Sequence, residues 1–352
     1  MPSLSPPHYF DLSCVQGVPD SHCWTATEEH QVITDPANPA DGLPVIDLAD
    51  IDAAQRTCHA LETLGAFQLT GHRIPGSVLD GLESQARRLF ALPADEKLKA
   101  ARSPGTISGY GLVPISSFFA KLMWSEGFTV SGPPRAHAAA LWPHNPNPFC
   151  GAVEAYSESM RSLGQQIAGL ILRALGLKEE DGRAITNQMD GVLQLNWYPS
   201  CPDPTRAVGM AAHTDSALIT VLHQSNGSRG LQFLRTEESN PARWLPVTPL
   251  PGSLIVVAGD LLHVFSNGRF RSAVHRVMVT RAARFSAAYF CGPPKELSVG
   301  PDPKLVDLKR GPQFRAVTWA EYRGIKGKLF QGAIDEIRLS PSEAAGCGDD
   351  SI

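Results

Sequence analysis

The segment His213-Thr-Asp215 carries the first candidate chemistry of this 352-residue chain. On an extended segment, side chains two residues apart share a face, so an imidazole and a carboxylate spaced this way can reach one metal ion. Alone the triplet is a weak signal, and it gains weight from a third donor. His223, His263 and His275 follow, and His275 falls inside the apolar run Val274–Thr280, which reads as a strand. Two imidazoles and one carboxylate leave neighbouring coordination positions open, which suits non-haem Fe(II) and oxygen chemistry. A structural zinc more often recruits thiolates and closes its shell.

Arg284-Phe-Ser286 is the second constellation. In a strand, Arg284 and Ser286 share a face, and a guanidinium beside a hydroxyl makes a receptor for a small carboxylate. The ordinary alternative is a solvated strand arginine. Arg338-Leu-Ser340 has the same pattern but lies in the polar tail, outside any expected strand. Asn196-Trp-Tyr198-Pro199 ends another run, because proline cannot donate to a ladder. Asn196 and Tyr198 share a face there, and Tyr198 either presents its hydroxyl to an anion or is buried against backbone.

The elements that must position these residues change character along the chain. Residues 1–42 are rich in Pro, Asp, Ser and Thr and read as a loosely structured arm. Pro44–Leu48 and Ala66–Thr70 read as short strands. Ile51–Leu64, Val78–Phe90 and Phe149–Ala174 carry apolar residues at helical spacing, with Gly176 as a C-cap of the last. From about residue 190, short β-rich runs alternate with turn signals: Val192–Tyr198, Leu218–His223, Leu231–Leu234, Trp244–Val247, Ser253–Val257, Val274–Thr280 and Phe285–Phe290. That rhythm predicts a sandwich or a double-sheet jelly roll. Val317–Ile337 returns to helical spacing, and the last dozen residues read as frayed.

Composition narrows the function classes. Lys and Arg number 31 against 35 Asp and Glu, a net charge of −4 that argues against nucleic-acid or anionic-membrane binding. The seven cysteines are odd in number and none forms a C-x-x-C pair, so a zinc ribbon, redox dithiol or disulfide scaffold is disfavoured. No apolar run approaches the ~20 residues of a membrane-spanning helix, and no secretory signal is visible. The expectation is a soluble, monomeric, cytoplasmic protein.

Taken in order, Asn-x-Tyr-Pro, His-x-Asp, a distant His and Arg-x-Ser resemble the plant Fe(II)/2-oxoglutarate-dependent dioxygenases. The likeness extends from about residue 42 to 337 and includes Pro44–Leu48, Gly65–His72, Gly259-Asp260 and Ser266-Asn-Gly268. Ser21–Thr25, Ile107–Gly111, Ser117–Thr129 and Leu141–Pro143 further resemble the gibberellin 3-oxidase group. Two positions depart from the pattern: Arg73 replaces a glycine usual after His72, and Val257 stands where asparagine is common before Gly-Asp.

The resemblance implies an α+β fold with a mainly β core, a double-stranded β-helix (jelly roll, cupin-like) flanked by helices. It divides the chain into a helix-rich region 1–190, a catalytic jelly roll 191–300 and a C-terminal helical extension 301–352. It implies that His213, Asp215 and His275 hold Fe(II). It also implies that Arg284 and Ser286, supported by Tyr198 and Asn196, bind 2-oxoglutarate. Dioxygen is then the oxidant, ascorbate supports activity, and a nineteen-carbon gibberellin is hydroxylated at the 3β position. Alternatives are 2,3-desaturation, 1β or 2β oxidation, a flavonoid-like substrate, or a binding protein that has lost turnover. An apolar ring system with one carboxylate needs an apolar pocket with a polar anchor. Candidates are Tyr110, Phe118, Phe119, Trp124 and Phe290, with Lys121 or Arg102 as the anchor.

Overall fold

The longest element of the computed structural model shows how the sequence builds the scaffold. Helix α5 (Asn147–Ala174) buries Phe149, Val153, Tyr156, Met160, Leu163, Ile167, Leu170 and Ile171. Steps of three and four place them on one stripe, each large side chain contributing about 1.5–3 kcal/mol of burial. Gly176 ends the helix at φ 77°. The Leu177 amide donates to Leu172 O and the Gly176 amide to Arg173 O, a Schellman ending that satisfies two orphan carbonyls. At Gly164 a Cβ would stand 2.8 Å from Cys291 Sγ, so only glycine lets the helix approach the sheet there.

Residues 11, 12, 14–24, 42–186, 189–237, 240–307 and 311–340 are described. Before the catalytic region come strands β1 (Val45–Asp47), β2 (Ala66–Thr70), β3 (Gly109–Gly111) and β4 (Glu126–Ser131). Helices α1 (Ala53–Thr63), α2 (Gly76–Phe90), α3 (Ala94–Leu98) and α4 (Arg135–Leu141) lie among them, and α5 and α6 (Glu179–Thr186) follow. Next come β5 (Asp190–Tyr198), β6 (Val208–His213), β7 (Ile219–Gln224), β8 (Leu231–Glu237), β9 (Asn240–Pro246) and β10 (Leu254–Ala258). A short helix α7 (Asp260–Phe265), β11 (His275–Met278) and β12 (Arg284–Gly292) complete this region. The tail adds β13 (Ser298–Val299), β14 (Val317–Thr318), α8 (Trp319–Leu329) and α9 (Ala333–Glu336).

An eight-stranded sheet runs β1-β2-β10-β7-β12-β5-β4-β3, and a four-stranded sheet runs β6-β11-β8-β9. Residues of both sheets share one cluster: Tyr198, Ile255 and Val257 from the large sheet, Met210, Phe233 and Val277 from the small one. The inner faces therefore close on each other as a jelly roll. The outer face of the large sheet, with Leu195, Val221 and Ala287, packs with α1, α2 and α5 in the main core. The α+β fold with a jelly-roll core is the one expected.

Several expectations need correction. Strands β1 and β2 fall where short strands were expected, while β3 and β4, which extend the large sheet at its other edge, were not among the expected strands. Strand β6, which ends on His213, was not expected, because Val-Gly-Met-Ala-Ala-His has small residues and no alternation. Between the runs Ser253–Val257 and Val274–Thr280 the chain forms a short helix, Asp260–Phe265, that was not among the expected helices. The arm expected over residues 1–42 is docked where it is described. Leu12, His22 and Trp24 are buried, Trp24 N–H donates to Arg206 O at 2.8 Å, and its indole donates to Leu122 O at 2.9 Å. Residues 25–41 and the final dozen lie outside the described residues.

Candidate active site

The small sheet places two imidazoles opposite each other. His275 begins β11 and pairs with His213 at the end of β6, and their ring centroids are 4.2 Å apart. Asp215 follows just beyond β6, so the pair is not carried by one continuous strand, and its carboxylate still faces the imidazoles. Asp215 Oδ1 lies 3.7 Å from His213 Nε2 and 3.9 Å from His275 Nε2. One donor atom from each residue falls within 4.8 Å of the others.

Neighbouring groups set which atoms face inward. His213 Nδ1 is 2.8 Å from Ala211 O, and His275 Nδ1 is 3.0 Å from Ala273 O. A carbonyl only accepts, so each Nδ1 carries the hydrogen and each Nε2 keeps its lone pair. The Thr220 hydroxyl donates to Asp215 Oδ2 at 2.6 Å, leaving Oδ1 for the imidazoles. Burial and the adjacent His275 hold the His213 imidazole well below its ordinary pKa. Three lone pairs thus converge on one point with no hydrogen between them, which repel each other unless a cation sits there. Two nitrogens, one oxygen and no thiolate match the donor set of non-haem Fe(II).

The large sheet supplies the second half. Arg284 opens β12 opposite Tyr198 on β5, and Ser286 faces both Asn196 and Gln224. Arg284 is 3% exposed. It donates to Ser286 Oγ at 3.2 Å and Gln224 Oε1 at 2.8 Å, and lies 4.9 Å from the Tyr198 ring centroid. Its Nε has no partner, and among the described residues no carboxylate pairs with it. Burial draws the guanidinium pKa down and pushes the Tyr198 phenol up. A buried cation lacking its counter-charge is costly, and an arriving carboxylate removes that cost. Thr220 and Gln224, which support the two halves, lie four residues apart on one face of β7, about 13 Å along the strand.

Asn196 joins this half through a chain of polar contacts. Gln194 Nε2 donates to Asn196 Oδ1 at 3.2 Å, Thr129 donates to Gln194, and Arg102 donates to Thr129 Oγ1 at 2.9 Å. Arg102 also donates to Ile107 O and Leu112 O, so its guanidinium ties the 102–112 loop to β4.

The pocket candidates divide. Phe290 pairs with Thr220 and shares the face of Arg284 and Ser286. Phe118 stacks on Phe330 at 4.9 Å, and Phe119 meets Phe330 edge-on at 5.5 Å and Trp24 at 5.4 Å. Two contacts put this aromatic group beside the metal strand: Gln331 Nε2 reaches Ala212 O, and the Ala211 amide points to Met123 Sδ.

Tyr110 does not join the pocket. It pairs with Phe128, in register with Leu195, on the sheet face opposite Asn196 and Ser286. Its hydroxyl donates to Glu126 at 2.6 Å, and Glu126 also holds the buried Lys97. Trp124 is fully buried with its indole on Pro199 O at 3.1 Å. Lys121 donates to Asp20 O at 2.7 Å and fastens the N-terminal segment.

His223 and His263 are not ligands. His223 packs between Tyr156 and Phe285 on the helix side, and His263 Nδ1 donates to Phe270 O at 2.7 Å. Sequence reasoning did not single out Thr220, Gln224 or Phe330. The first two are ordinary strand residues whose meaning comes from register, although their four-residue spacing on one strand face was a usable signal.

Residues 189–293 match the family model of the 2OG-Fe(II) oxygenase superfamily, and residues 43–149 match that of the non-haem dioxygenase in morphine synthesis N-terminal region. The chain belongs to the 2OG-Fe(II) oxygenase superfamily and is a 2-oxoglutarate-dependent dioxygenase that uses Fe(II). It is similar to gibberellin 3-beta-dioxygenase 1 of Arabidopsis thaliana, 42% identical over 94% of this chain and 93% of the relative. Gibberellin 3-beta-dioxygenase 1 of Pisum sativum is 42% identical over 96% and 94%. Among solved structures, JOX2 in complex with 2OG, Fe and JA superposes with TM-score 0.79 at 26% identity, covering 93% of this chain and 96% of that one. The rice dioxygenase for auxin oxidation gives 0.69 at 30% identity, covering 84% and 100%.

Proposed function

We propose that this protein hydroxylates a nineteen-carbon gibberellin at the 3β position. His213, Asp215 and His275 hold Fe(II), while Arg284 and Ser286, with Tyr198 and Asn196 beside them, receive the distal carboxylate of 2-oxoglutarate. The supporting observation is near full-length identity of 40–42% to several proteins named gibberellin 3-beta-dioxygenase. When bound, Fe(II) and 2-oxoglutarate supply oxygen activation, with succinate and carbon dioxide as coproducts.

The residues supply orientation and exclusion. Carbonyl acceptors fix the imidazole tautomers, and Thr220 fixes the carboxylate rotamer. The Arg284 fork orients the cosubstrate along β7. Phe290 and Val257 flank Thr220 on the inner face, and Phe118, Phe119 and Phe330 form an apolar mouth suited to a fused ring system. In this reading region 191–300 is the catalytic core, flanked by 1–190 and 301–352, and the protein works as a cytoplasmic monomer. None of its described helices is long and apolar enough to cross a membrane.

Mass-spectrometric product identification tests the proposal. A nineteen-carbon precursor with Fe(II), 2-oxoglutarate and ascorbate should gain one oxygen at the 3β position, with one succinate per product. A 2,3-alkene, a 1β or 2β alcohol, or turnover only with a flavonoid replaces the proposed reaction. Binding without succinate release removes it.

A further inference from the structure

The Asp260 carboxylate lies just behind the proposed metal site and gathers contacts from three separate segments. It is 3% exposed. Its Oδ2 accepts from Thr214 Oγ1 at 3.2 Å, from the Tyr322 hydroxyl at 2.8 Å and from Lys326 Nζ. Its Oδ1 accepts from Ser272 Oγ. The Asp260 amide donates to Asp215 O at 2.8 Å. Thr214 stands between two proposed ligands and Ser272 three residues before the third. Tyr322 and Lys326 belong to α8. Gly259 permits the approach, since a Cβ there would stand 2.1 Å from Ala217 O.

We infer that Lys326 is a positioning residue for the metal loop, acting from the C-terminal helix through Asp260 and Thr214. This rests on the metal site proposed above. Lys326 Nζ also donates directly to Thr214 Oγ1 at 2.6 Å, so the ammonium holds both the hub and the residue between the ligands. Its side chain is 12% exposed and that of Asp260 is 4% exposed. The pair is therefore largely desolvated, and removing the cation leaves a buried carboxylate uncompensated. Trp319 on the same helix donates to Ser216 Oγ at 3.1 Å, a further tether on the loop. No ligand atom touches Lys326. Its effect is to hold the backbone that sets where the Nε2 and Oδ1 atoms converge, and groups that orient metal ligands from behind are worth about 10–100-fold in metal affinity.

The test is calorimetric titration of the full-length apoprotein with Mn(II), a redox-quiet probe that needs no turnover. Thermal unfolding of each variant runs alongside. Lys326→Met should weaken Mn(II) binding about tenfold or more, Lys326→Arg should recover most of the loss, and Asp215→Ala should abolish binding. Thr214→Val cuts the loop tether while keeping the Lys326–Asp260 pair. It should weaken Mn(II) binding with little change in melting temperature, and it decides the matter if Lys326→Met fails to fold. Wild-type affinity in Thr214→Val, and in Lys326→Met where that variant folds, together with loss in Asp215→Ala, overturns the positioning role and leaves the metal site intact. Wild-type affinity in Asp215→Ala overturns the metal site and this inference with it.

Discussion

Replacing Arg284 by Lys isolates what the guanidinium fork does. Arg284 is buried, holds Ser286, Gln224 and the Tyr198 ring, and keeps Nε unpartnered. Lysine retains the charge and loses the planar pair of donors, so one charge-assisted hydrogen bond to the cosubstrate disappears. Such bonds are worth about 1.5–3 kcal/mol. A loss of about 2 kcal/mol corresponds to roughly 30-fold weaker 2-oxoglutarate binding. The assay is thermal stabilisation by 2-oxoglutarate with Mn(II) under anaerobic conditions. At 100 times the wild-type Kd, the wild type gains about 2.7 kcal/mol and Arg284→Lys about 0.9 kcal/mol. The gibberellin KM, measured at saturating 2-oxoglutarate, should stay near wild type. Equal stabilisation of both proteins, or a loss confined to the gibberellin KM, would refute the assignment of Arg284 to the cosubstrate carboxylate.

Burial holds the His223 pKa down at about 4 against 6.5 unfolded, so the unfolded chain takes up a proton first as pH falls. His223 therefore withdraws stability between about pH 6.5 and 4, about 3 kcal/mol in full. His223→Leu should flatten that part of the pH–stability curve, and an unchanged slope would remove His223 as its source. Arg73 adopts φ 56°, where glycine carries no side-chain penalty. Arg73→Gly should raise stability by up to about 1 kcal/mol in denaturant unfolding, and Arg73→Ala should not. Tyr110→Phe removes a donor from the buried Glu126–Lys97 pair. It should cost about 1–3 kcal/mol of stability and leave the gibberellin KM unchanged; a changed KM would return Tyr110 to the pocket. Phe330→Ala should raise the gibberellin KM several-fold while 2-oxoglutarate binding holds, and identical KM values would exclude Phe330 from the mouth.

What the sequence made legible follows from how locally each feature is encoded. The candidates Asn196/Tyr198, His213/Asp215 and Arg284/Ser286 could be picked out because each pair is spaced i, i+2, and His275 because it is a donor inside an apolar run, although Asp215 lies just beyond the strand that ends on His213. Helix α5 was legible because its stripe is long and ends on Gly176. Trp124 was misplaced because it precedes β4 and packs in a separate cluster with Leu12, Cys201, Ala207 and Val279, and Tyr110 because aromatic character does not reveal which sheet face a side chain takes. That depends on a ladder running from β3 through β4 to β5. Lys121 was misplaced because its partner is a backbone carbonyl 101 residues away. The Asp260 hub escaped notice for the same reason: its four side-chain donors come from three stretches of chain.

The mouth has an unusual pedigree. Trp24 comes from near one end of the chain, Phe118 and Phe119 from its middle, and Phe330 from near the other end. None of the four sits in a strand of the barrel. In the proposed function, the residues that would hold the metal and the residues of the mouth therefore come from different elements of the chain. Selection can reshape the entrance by exchanging side chains at the chain's extremities without disturbing the register that holds the two imidazoles opposite each other. Loss of Phe330 alone would open the proposed mouth and spare the two imidazoles, whereas loss that reaches α8 would also release the tethers of Lys326 and Tyr322 on the metal loop.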